Sequence, residues 1–332
     1  MNEQIHSGIQ KLSAAIGQKS AFSLRLQKYG VLIAFILICV GISIMSPNFL
    51  TVTNLLIVVR QITINAMLAF GVTFVIISGG IDLSMGSVVA VAGVVAASFA
   101  HPGSYPLIVP LFAGLAVGVL IGAFNGFVIT KGNVPPFIVT LGTMTIGRGL
   151  ALIFSGGRPI SNLSDSFGYI GGGELFGIPF PIVILGIIFV LCLVLLKKTV
   201  LGRYIYAVGG NEEAARASGI NVKKIKIIVY TLCGGLSALG GIILASRIST
   251  GQPNVGVAFE LDAIAAVVIG GTSLSGGIGT MTGTLIGALL IGVIGNGLDL
   301  MNVSSYYQQV VMGSIIIGAV LLDSIRRRNL SS

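Results

Sequence analysis

Residues 176–196 read F-G-I-P-F-P-I-V-I-L-G-I-I-F-V-L-C-L-V-L-L, an apolar run without a single charge, closed by Lys197 and Lys198. At 1.5 Å per residue such a run crosses a bilayer core of ~30 Å as one helix. The run is continuous rather than alternating, and backbone groups in hydrocarbon must bond within their own segment, so a helix is expected and not a barrel strand. Similar runs lie at 30–45, 54–79, 86–100, 107–130, 136–154, 227–245, 261–271, 282–298 and 306–322. The run at 261–271 is short, and reads as a tilted span or as a re-entrant segment buried in protein. The expected fold is all-α: a polytopic membrane protein of about ten transmembrane helices.

Composition agrees. Of 332 residues only 9% are charged, against roughly 25% in an ordinary globular chain, and 54% are hydrophobic. Mean hydropathy is +1.01. These values exclude a soluble enzyme of ordinary type, a disordered chain and a disulfide scaffold. Cys39, Cys192 and Cys233 all lie inside apolar runs and read as buried small hydrophobes. His6 and His101 lie in polar segments and assemble no metal cluster. No G-x-x-x-x-G-K-[ST], H-E-x-x-H, G-x-S-x-G or paired-cysteine motif occurs. No catalytic, cofactor or metal residue is therefore expected, and hydrolysis of ATP by a P-loop in this chain is excluded.

The net charge of +9 is a matter of position. Lys11, Lys19, Arg25 and Lys28, then Lys131, the basic residues from Lys197 to Lys226, and Arg326, Arg327 and Arg328 make up 15 of the 19 Lys and Arg. With ten spans all of these fall on one side, which the positive-inside rule makes the cytoplasm. The expected plan is a cytoplasmic tail over 1–29, one transmembrane domain over 30–322 and a cytoplasmic tail over 323–332. That makes a multi-pass membrane protein, surrounded by lipid, with both termini cytoplasmic and no role for nucleic acid.

An internal echo runs through the chain. G-G-x-x-L-S-x-G begins at Gly79 and again at Gly270, and Gly122 with Asn125 echoes Gly292 with Asn296. Two half-repeats over 54–154 and 245–322 are expected, as in many transporters. Gly114-x-x-x-Gly118-x-x-x-Gly122 and Gly283-x-x-x-Gly287 suit close helix packing, which small residues allow in lipid.

The cytoplasmic loop over 197–226 contains a complete short helix. Asn211 suits the N-cap, Glu212 and Glu213 the first turn, Ala214, Ala215 and Arg216 the body, and Gly219 the left-handed stop. Two turns are marginal alone, so the helix is expected either to dock into another protein or to lie on the lipid surface. This E-A-A-x-x-x-G pattern resembles the loop of ABC importer permeases. So do G-G-I-D-L-S from Gly79, N-V-P-P-F-I-V-T-L-G from Asn133 and G-G-T-S-L-S-G-G from Gly270, which point to the sugar branch of that family, its ribose members above all, alongside those for xylose and autoinducer-2. The resemblance covers about residues 30–328. It lacks the Leu-Pro pair that closes the fuller loop pattern, Asn221-Val222-Lys223-Lys224 standing there instead.

That resemblance implies the remaining parts. A cytoplasmic ABC ATPase subunit would receive the short helix as a coupling helix, an extracytoplasmic sugar-binding protein would deliver the substrate, and a second permease protomer, identical in a homodimer, would complete the path. Residues 211–216 and Gly219 are the coupling candidates. Asp82, Asn125, Asn133, Phe137, Thr140 and Asn296 are candidates for the pathway or its gate, Asp82 alternatively capping the next helix. Arg158, Asp165 and Glu174, with Arg247 and Glu260, could meet the binding protein. Arg60 and Arg148 lie within apolar runs and suit pairing with carboxylates or snorkelling to an interface. An ion-coupled secondary transporter using Asp82, Arg60 and Arg148 is the alternative, and it has no use for an ATPase-docking helix.

Overall fold

A computed structural model of the chain describes residues 30–331. The tail expected over 1–29 lies outside them. The described residues are helical apart from one small hairpin and the connecting loops. In chain order the helices are α1 Gly30–Met45, α2 Val52–Ile77, α3 Met85–Ser98, α4 Ile108–Gly132, α5 Pro136–Ser155 and α6 Asp165–Gly172. The strands β1 Glu174–Leu175 and β2 Ile178–Pro179 follow, paired antiparallel. Then come α7 Phe180–Lys198, α8 Val200–Gly210, α9 Glu212–Ala217, α10 Val222–Arg247, α11 Phe259–Ile269, α12 Met281–Leu300 and α13 Ser305–Ser331.

Among the described residues six helices, α2, α4, α5, α7, α10 and α12, are long and apolar enough to cross a bilayer. Helices α1 and α3 and the apolar part of α13 are shorter. The segment read as uncertain at 261–271 is α11, whose 11 residues span only ~16 Å, about half a bilayer core. Two boundaries move relative to the sequence reading. Phe176 (φ +52°) and Gly177 (φ +76°) form the hairpin turn, so the span begins at Phe180, beside Pro179 and Pro181. Helix α10 begins at Val222 rather than near 227, because the Asn221 side chain accepts the Lys224 amide at 3.0 Å.

Helix α3 is buried on almost every side, from Met85 through Ala97. It is apolar all round and sits where a helix of that kind belongs, inside the bundle. Helix α10 is the other central element, packed against α2, α3 and α4. The glycine ladder of α4 makes this possible. Gly114, Gly118, Gly122 and Gly126 face Ile242, Gly234, Tyr230 and Ile227 in turn, and a Cβ on Gly118 would collide with the Gly234 carbonyl. Without a strong hydrophobic drive between helices in lipid, such backbone contact supplies the packing energy. Gly283 and Gly287 of α12 likewise lie against Gly270 and Ala266 at the end of α11.

Candidate functional site

The segment after α7 holds two helices in place of a loop with one. Thr199 caps α8, its hydroxyl accepting the Gly202 amide at 3.2 Å. Asn211 ends α8 and begins α9, its side chain accepting the Ala214 amide at 2.9 Å. Gly219 follows α9 with φ +82°, the left-handed stop that glycine adopts without strain. Glu212 bridges to Arg216 at 2.9 Å and to Lys226 at 2.6 Å, which ties α9 to the N-terminal part of α10. The Lys226 ammonium hydrogen-bonded to it holds the Glu212 carboxyl below the usual carboxylate value. Ala215 alone in α9 is buried, while Glu213, Ala214, Arg216 and Ala217 form an exposed face.

Helix α8 mounts this face on the interior. The Tyr206 hydroxyl donates to the Gly279 carbonyl at 2.7 Å. Gly209 packs directly on the Ile77 carbonyl, where any Cβ would collide. The same carbonyl accepts the Gly277 amide at 2.9 Å. The α8 end thus touches both glycine-rich turns, the one leaving α2 and the one leaving α11. Those turns are alike. Gly79 (φ +81°) and Gly271 (φ +88°) close them, with Gly80 N–H donating to Val75 O at 3.0 Å and Thr272 N–H to Val267 O at 3.1 Å. Asp82 accepts the Ser84 amide at 2.9 Å, and Ser273 accepts the Ser275 amide at 3.4 Å.

A buried polar chain starts at the first turn. Asp82, 1% exposed, also accepts the Ser84 hydroxyl at 2.6 Å. The Asn125 amide donates to Ser84 Oγ at 2.9 Å, and Thr143 Oγ1 donates to Asn125 Oδ1 at 2.7 Å. The chain joins the α2–α3 turn to α4 and α5. Neither Asp82 nor Ser84 makes a side-chain cap bond to α3, so the capping alternative is not what the geometry provides.

The other pathway candidates go elsewhere. Asn296 pairs with Asn54 between α12 and α2. Asn133 is the left-handed C-cap of α4 (φ +56°). Phe137 is 53% exposed on α5. Thr140 is buried and spends its hydroxyl on Pro136 O, one turn back in its own helix.

Among the described residues the ion pairs within 4 Å are the two of Glu212. Arg60 and Arg148 therefore make no ion pair within 4 Å, although the Arg148 guanidinium and the Glu260 carboxylate both face Gly86. Arg148 donates to the carbonyls of Val255 and Gly256, the latter at 2.6 Å. Arg247 donates to the Arg60 carbonyl at 3.2 Å.

Arg158, Asp165 and Glu174 are exposed on one plate, built from the 155–164 loop, α6 and the hairpin. A bridge between Ile160 and Gly251, at 3.0 and 2.8 Å, joins it to the segment after α10. Glu260 does not belong to that plate: it is 8% exposed, because residues 251–258 carry it inward to Gly86 of α3. Sequence reasoning missed this descent and the role of α8. The glycines at 209, 251 and 256 were the available signal.

Residues 54–320 match the family described as branched-chain amino acid transport system / permease component. The chain is 50% identical over 297 residues to the ribose import permease protein RbsC of Escherichia coli K12, covering 88% of this chain and 92% of that one. It is 48% identical to the RbsC of Bacillus subtilis, over 90% and 93% of the two chains. To the L-arabinose transport system permease protein AraH of Escherichia coli K12 it is 41% identical, over 93% and 95%. No solved structure matches the chain.

Proposed function

This chain belongs to the permease-component family of branched-chain amino acid transport systems, and from that membership we propose that it is the membrane-spanning subunit of an ABC importer that moves ribose inward. It hydrolyses nothing itself; a separate ATPase chain supplies the energy. The observation that carries this reading is the exposed face of α9, mounted through α8 on both glycine-rich turns. A small helix projecting from a membrane domain has little to gain by standing free. An ATPase cleft would give it a partner and a stroke to transmit.

The proposed mechanism follows from those contacts. ATP-driven closure of two ATPase domains displaces α9, and α8 passes the displacement to the α2–α3 and α11–α12 turns. Gly209 on Ile77 O and Tyr206 on Gly279 O leave no slack for it to be absorbed. Turns of matching geometry at the ends of α2 and α11 suit two half-repeats that tilt against each other. Asp82, in the first turn, would lock or release α3 through Ser84, Asn125 and Thr143.

The further parts of the reading are a homodimer in the inner membrane with cytoplasmic termini, and a sugar-binding protein on the outer plate of Arg158, Asp165 and Glu174. Ribose is the substrate named for the relatives with about half their residues identical. The test is uptake in proteoliposomes containing the chain, its ATPase and its binding protein. Ribose uptake is expected to need ATP and to persist without an ion gradient. Uptake that follows the gradient without ATP would overturn the reading in favour of a secondary transporter.

A further inference from the structure

We propose that the translocation path runs past a face made by Arg148, Glu260 and the non-helical residues 252–258, and that these groups hydrogen-bond a neutral, hydroxyl-rich solute in transit. The inference rests on the permease reading above and supplies the residues that reading leaves unnamed. Its first support is the course of the chain after α10. Gly251 packs against Gly93, Val94 and Ala97 of α3, whereas Gly256 packs against Gly86. Residues 251–256 therefore lie along most of α3 and do not stay at the plate. Irregular backbone at that depth is tolerated only where it is buried in protein or lines water.

Charge gives the second support. Arg148 lies seven residues before the end of α5, ~10 Å inside it. Its guanidinium holds the Val255 and Gly256 carbonyls, which fixes the irregular segment to α5. Val257, next in the chain to Gly256, is 68% exposed, and Leu261, next to Glu260, is 47% exposed. A surface at that depth with a half-buried arginine in it is poorly matched to hydrocarbon and well matched to a wet path.

Glu260 gives the third. It is 8% exposed, and its Oε2 has no hydrogen-bond partner among the described residues. It sits in the first turn of α11 and reaches toward Gly86, where the absence of a side chain makes room for it. A buried carboxylate oxygen without a donor is an open demand for hydrogen bonds. One guanidinium, the carboxylate of Glu260 and two carbonyls, with Asp262 in the same first turn of α11, offer donors and acceptors in the mixture that sugar hydroxyls require.

The experiment places single cysteines on this face, Val257→Cys and Leu261→Cys, with Leu191→Cys on α7 as the lipid-facing control. Leu191 is 59% exposed. The full importer in proteoliposomes is treated with a membrane-impermeant thiosulfonate reagent, and the parent chain sets the background. The 257 and 261 variants are expected to react and then to lose ribose uptake, while Leu191→Cys stays inert. Reactivity at 257 and 261 no higher than at 191 would overturn the inference.

ATP-dependent ribose uptake by the same variants before labelling tests the permease reading separately, so the two failures look different. Glu260→Gln then tests solute contact. It is expected to shift the ribose-to-xylose uptake ratio about threefold or more, as the loss of a specific hydrogen bond does. An unchanged ratio, with uptake retained, would remove Glu260 from the path.

Discussion

Asn54 and Asn296 clasp α2 to α12 through two reciprocal side-chain hydrogen bonds, Asn54 Nδ2 to Asn296 Oδ1 at 2.9 Å and Asn296 Nδ2 to Asn54 Oδ1 at 3.0 Å. Both residues are buried, and Asn54 Nδ2 also donates to Phe49 O at 2.9 Å. Asn54 spends both its N–H donors in this way, and Asn296, 5% exposed, is turned to α2 and away from any open path. Thr73 and Thr284 join the same two helices by a hydroxyl pair at 2.8 Å.

Asn296→Ala should therefore cost stability rather than specificity. Interhelical hydrogen bonds in membranes are worth ~0.6 kcal/mol on average and up to ~1.7 kcal/mol. A double-mutant cycle with Asn54→Ala, followed by thermal unfolding in detergent, should return a coupling energy in that range. The preference among sugars should not move.

Glu213→Ala combined with Gly219→Pro should leave the protein in the membrane and abolish both ribose uptake and transport-coupled ATPase activity. Gly219 stands at φ +82°, where proline cannot follow. Membrane fractionation checks insertion, and coupled ATPase assays check the stroke. Normal uptake in this double variant would refute the role given to α9.

Gly209→Leu should uncouple without disturbing α9 itself. A side chain at 209 would strike the Ile77 carbonyl and push α8 from the first glycine-rich turn. ATPase binding to the permease is expected to survive, measured by co-purification, while uptake falls by about tenfold or more, the scale of a lost positioning contact.

Glu212 links α9 to pH. Its folded carboxyl lies below the ordinary 4.5 because Lys226 and Arg216 favour the charged form. The bond therefore supports α9 at neutral pH and fades only as pH falls through the lowered folded value. Side-chain exposure of 39% keeps the effect small. Amide exchange over α9, corrected for its intrinsic pH dependence, should lose protection as pH falls below the ordinary carboxylate range. In Glu212→Gln the protection should be lower and flat with pH.

Gly118→Leu or Gly234→Leu should each destabilise the bundle by about 1–3 kcal/mol, the usual cost of overpacking. Each glycine sits where the backbones of α4 and α10 touch. Thermal unfolding in detergent is the measurement, with Gly142→Leu as the control, since nothing lies within 4 Å of a Cβ there.

Much of the local structure was legible residue by residue. Asn211, the two glutamates and Gly219 each stand in the position that capping and dipole rules give them, because those rules act within one turn of chain. The glycine spacing of α4 announced a packing face for the same reason. The polar residues inside the spans were another matter. Asn125, Thr140 and Asn296 look alike in sequence, yet one joins a chain of side chains, one bonds its own helix and one clasps a partner across 242 positions. Which of these happens depends on what another helix presents, and a single segment carries no record of that.

By itself the sequence determined that the chain is helical, apolar enough for a bilayer and equipped with a capped helix among basic residues. Those properties follow from composition, periodicity and short-range bonds. Only the tertiary structure decided that α8 rests on both glycine-rich turns, that residues 251–258 run inward beside α3, and that Arg148 holds backbone carbonyls in place of a carboxylate. These are contacts between residues far apart in the chain. They exist because close packing leaves each buried polar group to take the partner that packing brings to it.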